Sequence, residues 1–256
     1  MIYPCETNKN LTEQQDHLSF HYSNQCITSF SNLSQKAIKI HALSVLKATN
    51  QLVNVSFKGK VITITGAASG IARETAILLA LKDAKVFLVD VQEEALKETA
   101  NLIKQDGGEA IAVTVDITNR KQVEDWIEKT VTTFGKIDGA ANLAGAIRKN
   151  INITHIQDVD DDDWDFVYQV NLKGLLNCLR AQIPHLKENG GAVVNTGSVA
   201  CIIGFPRNAA YVAAKHGVVG LSKAAAKELG PKGIRCNCIC PYVKTPVLVL
   251  DTEQIC

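Results

Sequence analysis

Tyr211 and Lys215 stand four positions apart in the stretch YVAAK, inside a segment, 209–229, whose apolar residues recur with helical spacing. Two side chains four apart on a helix share one face, so the phenol and the ammonium are expected to be neighbours. A nearby positive charge favours the phenolate and lowers the pKa of a tyrosine from about 10 by about 1–3 units. The pair therefore has the chemistry of a proton donor and acceptor, although the same spacing is also typical of solvated helix faces.

Ser198 closes the apolar stretch GAVVNTGS, which the residue pattern predicts to be a strand. In an open sheet of parallel strands, ligands bind at the carboxyl ends of the strands, where Ser198 would lie. Its hydroxyl could hold a carbonyl oxygen while Tyr211 transfers the proton.

The stretch TGAASGIA, Thr65 to Ala72, lies between an apolar strand pattern and the start of a helical pattern. Such a turn points backbone N–H groups and a helix N-terminus at whatever binds there, which makes it an anion site. Gly66 would permit the tight turn and Gly70 the close approach of the backbone to a pyrophosphate, while Ala72 takes a position that favours a very small residue. By itself the motif is equally typical of a structural turn.

Asp90 ends the second strand pattern twenty residues after Gly70, where a carboxylate can accept hydrogen bonds from the ribose hydroxyls of a dinucleotide. The same charge would repel a 2′-phosphate, and Ser69 adds no positive charge for one. NAD is therefore favoured over NADP. The alternative interpretation of Asp90 is a solvated strand end.

These residues need a sheet to position them, and from Phe57 onward six apolar strand patterns alternate with five helical ones. The helices are predicted over 71–82, 92–105, 123–134, 161–186 and 209–229. Parallel strands require crossover connections of this kind, so the pattern predicts an α/β fold with a doubly wound parallel sheet covered on both faces.

Taken together, the motifs resemble the short-chain dehydrogenase/reductase family, in its compact subgroup with TGxxxGxG and YxxxK. The resemblance runs from about Phe57 to Pro246 and rests on TGAASGIA, Asp90, Asp116 in VTVDIT, ANLAG, VNLKG, NTGS, YVAAK and CPYVKTP in the family's order. It implies a Rossmann fold and an NAD(P)-dependent oxidoreductase that interconverts a secondary alcohol and a ketone by hydride transfer. The substrate that it implies is a small-molecule alcohol or ketone.

The resemblance also implies a role for each matching residue. Tyr211 becomes the general acid/base, Lys215 its pKa modifier and a ligand of the nicotinamide ribose, and Ser198 the donor to the substrate oxygen. Asn171 in VNLKG becomes the support of a proton relay through water. The cofactor-binding residues that the resemblance implies, besides Tyr211 and Lys215, are Gly66, Ser69, Gly70, Ile71, Asp90, Asp116, Asn142, Val243 and Thr245.

The chain departs from the family pattern at Ala72, Leu143, Gly197 and Tyr242. Tyr242 replaces the glycine usual after Pro241, and a bulky side chain there would crowd the nicotinamide. The sequence also ends, in VLVLDTEQIC, before the substrate lid and seventh strand of the family, so we expect a shortened Rossmann domain over 53–256. A non-catalytic protein that binds only a dinucleotide or a partner stays an alternative, as does another reaction on this scaffold, such as epimerisation or dehydration.

Residues 1–52 are rich in Asn, Gln, Ser, Thr and His and contain neither Arg nor Gly. They are predicted to be a disordered or loosely docked extension. A hydrophobic content of 46% with a net charge of +1 excludes a general attraction for nucleic acid or anionic membranes. No apolar run reaches the about 18 residues of a membrane span, and the first residues lack the order of a secretory signal, so we expect a cytoplasmic protein.

The resemblance implies a homodimer or homotetramer whose main interface is formed by the helices 161–186 and 209–229. The stretch AANLAG and the cysteine-rich sixth strand are similar to family members from filamentous fungi that act in secondary metabolism.

Cysteine and aspartate patterns raise the question of a metal. The eight cysteines are scattered and are interpreted as free thiols, and Cys236, Cys238 and Cys240 alternate as if on one buried strand face. The run DVDDDDWD resembles the start of an EF-hand loop, but its sixth position would be Asp163 and its twelfth Gln169. A helix N-terminus is favoured there instead, and we expect no metal.

Overall fold

The computed structural model describes residues 55–148 and 151–241. These residues belong to the compact unit Val55–Cys256. The predicted extension at 1–52 and the positions Tyr242, Val243 and Thr245 lie outside the described residues. In the two described ranges, no helix has the length and apolar character needed to cross a membrane.

The described residues form six strands and six α-helices joined by short turns. The strands are β1 (Val61–Thr65), β2 (Lys85–Asp90), β3 (Glu109–Thr114), β4 (Gly139–Asn142), β5 (Ala192–Thr196) and β6 (Arg235–Ile239). The helices are α1 (Gly70–Leu81), α2 (Glu93–Gln105), α3 (Arg120–Phe134), α4 (Asp161–Tyr168), α5 (Gly174–Gln182) and α6 (Ala209–Leu229). A π-helical turn, Gln169–Lys173, joins α4 to α5, and 3₁₀ turns occupy Ile156–Asp158, Ile183–His185, Val199–Cys201 and Gly230–Lys232.

The six described strands form one parallel sheet in the order β3-β2-β1-β4-β5-β6. The order reverses between β1 and β4, which is the crevice where open α/β sheets bind ligands at the carboxyl ends of their strands. Thr65 pairs with Val89 on one side and with Asn142 on the other, so β1, β2 and β4 end close to the same level. The predicted doubly wound parallel sheet is confirmed.

Two layers of core cover the two faces of the sheet. Alternate residues of β2 enter opposite layers, Val86 and Leu88 on one face and Phe87 and Val89 on the other. Each such side chain stabilises the fold by about 1.5–3 kcal/mol when it is fully buried. The strand is therefore an unbroken apolar run rather than an alternating one.

The helix predicted over 161–186 is continuous in direction but changes type, because the π turn separates α4 from α5. Its start lies where the acidic run predicts it. Asp160 is the N-cap, and its Oδ1 accepts hydrogen bonds from the N–H groups of Asp162 and Asp163 at 3.0 and 3.2 Å. The interpretation of the aspartates as a helix N-terminus is confirmed.

The strand β6 carries Cys236 and Cys238 on its inward face, and Cys240 follows directly after it. All three side chains are partly exposed, so the predicted shared face is present but complete burial is not. The five cysteines of the described ranges are free thiols, as the sequence predicts.

Candidate active site

Gly66 makes the tight turn directly after β1, with φ of +76°. A Cβ at this position would lie 2.8 Å from Ala144 Cα, closer than a side chain can approach backbone. The N–H groups of Gly66 and Ala67 both donate to Val89 O, at 2.9 and 3.2 Å. Gly66 is thus required by the turn, and its amide holds the loop to β2.

Gly70 begins α1 with φ of +56°, and a Cβ built on it would meet nothing within 4 Å. Ser69 is the N-cap residue and makes no side-chain capping hydrogen bond. The first-turn N–H groups of a helix have no intrahelical partners, so the positive end of α1 faces open space. Ile71 is exposed at this end, whereas Ala72 is buried against the sheet, where a small residue suffices.

Asp90 is 9% exposed and ends β2 beside this loop. Its Oδ2 accepts a hydrogen bond from Ala68 N at 3.1 Å, and its Oδ1 accepts one from Gln92 N at 3.0 Å. The alternative interpretation as a solvated strand end is therefore wrong. Asp90 fixes the loop TGAASGIA, a structural role that the sequence analysis did not include.

Asp116 lies beyond the end of β3, on the same edge of the sheet as Asp90. Its side chain is exposed, and Oδ1 accepts hydrogen bonds from the N–H and the hydroxyl of Thr118, both at 2.8 Å. This Asx-type turn holds the carboxylate at the edge.

The stretch ANLAG is fixed from two sides. Thr65 Oγ1 accepts hydrogen bonds from the N–H groups of Leu143 and Ala144, each at 3.1 Å. Asn142 is buried and exchanges two hydrogen bonds with Gln182 of α5. The sequence analysis missed Thr65 and Gln182, and the available signal was a polar residue inside an otherwise apolar strand or helix face.

Asn171 lies in the π turn and is 2% exposed. Its Nδ2 donates to Ala146 O at 2.7 Å and to Val167 O at 2.9 Å, and its Oδ1 accepts from Ala146 N at 3.2 Å. The side-chain amide thus forms hydrogen bonds with both the N–H and the C=O of Ala146, directly after ANLAG. π turns are rare and occur frequently at functional sites, where they reposition one side chain.

The hydroxyl groups of Ser198 and Tyr211 lie close enough together that Ser198 acts on the pKa of Tyr211 and lowers it. Ser198 lies beyond the end of β5 at the carboxyl edge, and its Oγ also accepts a hydrogen bond from Ala200 N at 3.2 Å. Tyr211 lies in the first turn of α6. Two residues that are distant in sequence order are therefore brought to one point, as the motifs predict.

Lys215 is 3% exposed, and its Nζ donates to Thr196 O at 3.0 Å. Nζ also lies 5.6 Å from the centre of the Tyr211 ring. Burial lowers the pKa of Lys215 from 10.5 to about 8, while the neighbouring thiols of Cys201, Cys238 and Cys240 act in the opposite direction. A lysine with this pKa exchanges a proton more readily than an exposed one.

The pKa of Tyr211 differs in direction from the expectation. We expected the ammonium to lower it, but burial raises the pKa of Tyr211, and Ser198 only partly offsets this effect. The physical reason is geometric, because Lys215 Nζ lies against the ring and donates to Thr196 O. The phenol is therefore protonated at neutral pH.

Asn171 and Lys215 meet at Gly145. A Cβ built on Gly145 would lie 2.9 Å from Asn171 Oδ1 and 3.3 Å from Lys215 Nζ. The four predicted catalytic side chains, Ser198, Tyr211, Lys215 and Asn171, therefore form one continuous group at the carboxyl edge of the sheet.

Two cavities adjoin this group. One, of about 90 Å³, is lined by Tyr211 and by apolar residues that include Ile147, Val159, Val167 and Ala210. Its wall also carries the charged residues Arg148, Asp158, Asp160, Asp163 and Arg207. The other, of about 10 Å³, lies between the Asn142, Asn171 and Thr196 side chains and has the size of one water. Thr196 Oγ1 is buried at this second cavity with no protein partner.

Comparison with known proteins agrees with the fold. The family model described as short chain dehydrogenase matches residues 60–254. "Short-chain dehydrogenase/reductase aba4" of Botryotinia fuckeliana (strain B05.10) is 47% identical over 201 residues, which are 78% of each chain. The chain therefore belongs to the short-chain dehydrogenase/reductase family, whose members are oxidoreductases.

Solved structures give the same result. A levodione reductase is 36% identical with a TM-score of 0.73, and the match covers 77% of each chain. Carveol dehydrogenase from Mycobacterium avium, solved in complex with NAD, is 30% identical with a TM-score of 0.73 over 77% of this chain and 75% of that chain.

Proposed function

We propose that this protein is an NAD-dependent oxidoreductase that interconverts a secondary alcohol and a ketone. The observation that carries the proposal is the meeting of Ser198 and Tyr211 at the carboxyl edge of the sheet, with the buried ammonium of Lys215 beside the phenol. A hydroxyl donor, a proton donor and a buried cation at one point suit a reaction in which negative charge develops on a carbonyl oxygen.

The residues of the loop TGAASGIA fit a nicotinamide dinucleotide. The uncapped N-terminus of α1 and the open space at Gly70 suit a pyrophosphate, and Asp90 lies at the end of β2 for the adenosine ribose. In the proposal, Ile71 contacts the pyrophosphate through its backbone and Asp116 adjoins the adenine. The negative charge of Asp90 favours NAD over NADP, and the NAD complex of carveol dehydrogenase adds support.

The chain's own residues handle the proton and the substrate oxygen. The bound dinucleotide supplies the acceptor or donor of the hydride. Ser198 Oγ donates to the substrate oxygen, and the protonated phenol of Tyr211 gives its proton to that oxygen in the direction of reduction. In the direction of oxidation Tyr211 takes the proton, and Lys215 and Asn171 provide the route by which the proton leaves, with the small cavity at Thr196 suited to a bridging water.

The larger cavity supports a substrate with an apolar body. Arg148, on its wall, lies 3.4 Å from Asp163 and stacks 3.9 Å from the centre of the Phe166 ring, so its charge is compensated within the protein. The apolar residues Ile147, Val167 and Ala210 on the same wall suit the hydrocarbon part of an alcohol or ketone. Levodione reductase and carveol dehydrogenase are named for such small molecules.

The proposal also includes the roles of the two parts of the chain, the site of action and the oligomeric state. We assign catalysis to residues 53–256, with residues 1–52 as an N-terminal extension, and the site of action to the cytoplasm, in secondary metabolism. Trp164 and Tyr168 leave apolar surface exposed on α4, which supports a homodimer or homotetramer formed through α4, α5 and α6. Val243 and Thr245, after Pro241, complete the proposed nicotinamide site.

Thermal unfolding with and without ligand tests the proposal first. The protein is unfolded alone and with millimolar NAD, NADP, NADH and NADPH, because a ligand bound only by the folded state raises its stability. We expect a cooperative transition that NAD and NADH shift more than NADP and NADPH do. The same sample is then assayed for turnover of a panel of cyclic and acyclic secondary alcohols and ketones. The readout is the absorbance of the reduced nicotinamide at about 340 nm.

The variant Asp90→Asn tests the cofactor preference, because it removes the negative charge and keeps a side-chain oxygen that can accept the hydrogen bond from Ala68 N. It is expected to lose the difference between the NADH and NADPH shifts, because the repelling carboxylate is gone. A shift by dinucleotides without turnover of any alcohol or ketone would favour the non-catalytic alternative, and no shift at all would reject the proposed cofactor.

A further inference from the structure

Three cysteine thiols converge on Gly197, the residue directly before Ser198. A Cβ at position 197 would lie 2.5 Å from Cys201 Sγ, 3.0 Å from Cys240 Sγ and 3.1 Å from Cys238 Sγ. The sulfur atoms occupy the space that a larger residue at 197 would need. This explains why the chain carries Gly197, where the family pattern has a serine.

The thiols are in contact with one another. The side chains of Cys201 and Cys240 adjoin one another, as those of Cys240 and Cys238 do, because all three sulfur atoms lie within 3.1 Å of the same Cβ position at Gly197. Cys201 lies in the 3₁₀ turn after Ser198, whereas Cys240 follows β6, so the contact joins two distant segments of the chain. Cys238 and Cys240 are two residues apart at the end of β6, where an extended chain separates their Cβ atoms by about 6.6 Å, more than an unstrained disulfide allows. Cys201 is therefore the partner from the other segment.

Cys201 is also coupled to the candidate active site. Its Sγ accepts a hydrogen bond from Ser198 N at 3.0 Å. Any movement of this sulfur therefore removes a contact that holds the backbone of Ser198. A second sulfur bonded to Cys201 would move it in that way.

We infer that Cys201 and Cys240 form a peroxide-sensitive dithiol site, in which oxidation joins the two sulfur atoms and lowers turnover. Hydrogen peroxide first oxidises the partly exposed Cys240: its sulfur bonds to one peroxide oxygen, the O–O bond breaks, and water leaves. The sulfur of Cys201 then attacks the resulting sulfenic acid, the S–S bond forms, and the hydroxyl leaves as a second water. Each thiol has lost one hydrogen, and the peroxide has been reduced to two waters.

The exposure of the two thiols decides which of them reacts with peroxide first. Cys201 is 7% exposed, and burial raises its pKa to about 11, so it is a protonated, shielded thiol at neutral pH. Cys240 is the more accessible of the pair and is expected to react first. Cys236, on the same strand face, accepts a contact from Asn195 and is not one of the three thiols nearest to the Cβ position at Gly197, so it serves as the matched control.

The test is a search for the bond itself. The full chain is reduced, freed of reductant and treated with millimolar hydrogen peroxide, its remaining thiols are alkylated, and its peptides are analysed by mass spectrometry without reduction. We expect a peptide pair linked through Cys201 and Cys240 that disappears with dithiothreitol. The variant Cys236→Ser keeps this pair, and Cys240→Ser loses it, with thermal unfolding used to verify that each variant is folded.

A peroxide-treated, folded parent without this linked pair, or with Cys201 linked only to another cysteine, overturns the inference. The effect on turnover rests on the proposed function and is measured separately. In the parent and in Cys236→Ser, we expect peroxide to lower turnover by about tenfold to a hundredfold and dithiothreitol to restore it. In Cys240→Ser, we expect peroxide to leave turnover unchanged. If the linked pair forms and turnover is unchanged, the inferred effect on Ser198 is wrong, although Cys201 and Cys240 are still a site of oxidation. The peptide analysis needs no substrate, so it does not depend on the proposed function.

Discussion

Asn142 and Gln182 exchange two hydrogen bonds inside the protein. Asn142 Nδ2 donates to Gln182 Oε1 at 3.1 Å, and Gln182 Nε2 donates back to Asn142 Oδ1 at 2.9 Å. Asn142 also donates to Asn195 at 3.0 Å, and Asn195 donates to Ser222 of α6 at 2.9 Å. This chain of buried side chains ties α5 and α6 to β4 and β5, whose ends carry the candidate site.

Replacing Gln182 by leucine is expected to lower the free energy of unfolding by about 1–3 kcal/mol, because Asn142 Oδ1 would stay buried without its donor. Urea unfolding measures this loss, with an unchanged dependence on urea concentration. The matched control is Gln105→Leu, at the exposed end of α2, which should change the free energy by no more than about 0.5 kcal/mol. Equal stabilities for the two variants would show that the amide pair makes no net contribution.

Tyr211→Phe keeps the ring beside Lys215 but removes the hydroxyl that lies close to Ser198. We expect kcat to fall by about 10²–10⁴-fold, the usual contribution of a positioned acid or base, while dinucleotide affinity is retained. The control is Tyr168→Phe on α4, whose exposed ring lies on another helix and should keep kcat. Turnover by Tyr211→Phe at the parental rate would exclude the phenol as the proton donor.

Lys215 should make stability rise with pH. Because burial lowers its pKa from 10.5 to about 8, the unfolded chain binds more protons than the folded chain between these values. Below this window the ammonium is charged in both states and its desolvation opposes folding in full. As the pH rises through the window, the folded state loses the proton first and that penalty is relieved.

The measurement compares urea unfolding of the parent and of Lys215→Met at about pH 7.5 and about pH 9. We expect the parent to gain stability relative to the variant by at most about 1.4 kcal/mol per pH unit. The exposed Lys223→Met is the control and should show no pH-dependent difference from the parent. Cys201 has the opposite effect, since its raised pKa makes stability fall as the pH rises through the ordinary thiol value of 9.0 toward about 11. Because the parent and Lys215→Met both carry Cys201, this effect cancels in the comparison.

Gly197→Ala is expected to destabilise the protein by about 1–3 kcal/mol, because the new methyl would overlap the sulfur of Cys201 and two further thiols block its displacement. The double variant with Cys201→Ala frees that space and should recover part of the loss. Urea unfolding of the parent, the two single variants and the double variant gives the coupling energy between the positions. An additive double variant would contradict the crowding at position 197.

Much of the candidate site was predictable because its signals are local. Residues four apart on one helix must share a face, so YVAAK placed Tyr211 beside Lys215 without a structure. A strand that ends in a parallel sheet must point its last residues at the carboxyl edge, which is where Ser198 lies. The turn at Gly66 followed in the same way from the strand and helix patterns on either side of it.

Other features depend on which segments meet. The pKa of Tyr211 was predicted in the wrong direction because burial depends on packing that no local pattern encodes. Asp90 looked like a ligand or a solvated strand end, yet it holds the loop through Ala68 N, a contact made only when β2 lies beside β1. The π turn at Asn171 interrupts a helix whose sequence gives no sign of the change.

The amino-acid sequence by itself therefore determined the parallel α/β architecture, the loop after β1 and the shared helix face of Tyr211 and Lys215, because periodicity and turn chemistry act over a few neighbouring residues. Only the tertiary structure decided the charge state of Tyr211 and Lys215, the pairing of Asn142 with Gln182, and the meeting of three thiols at Gly197. Those properties depend on desolvation and on contacts between segments far apart in the chain, and both exist only after the sheet and its helices have packed together.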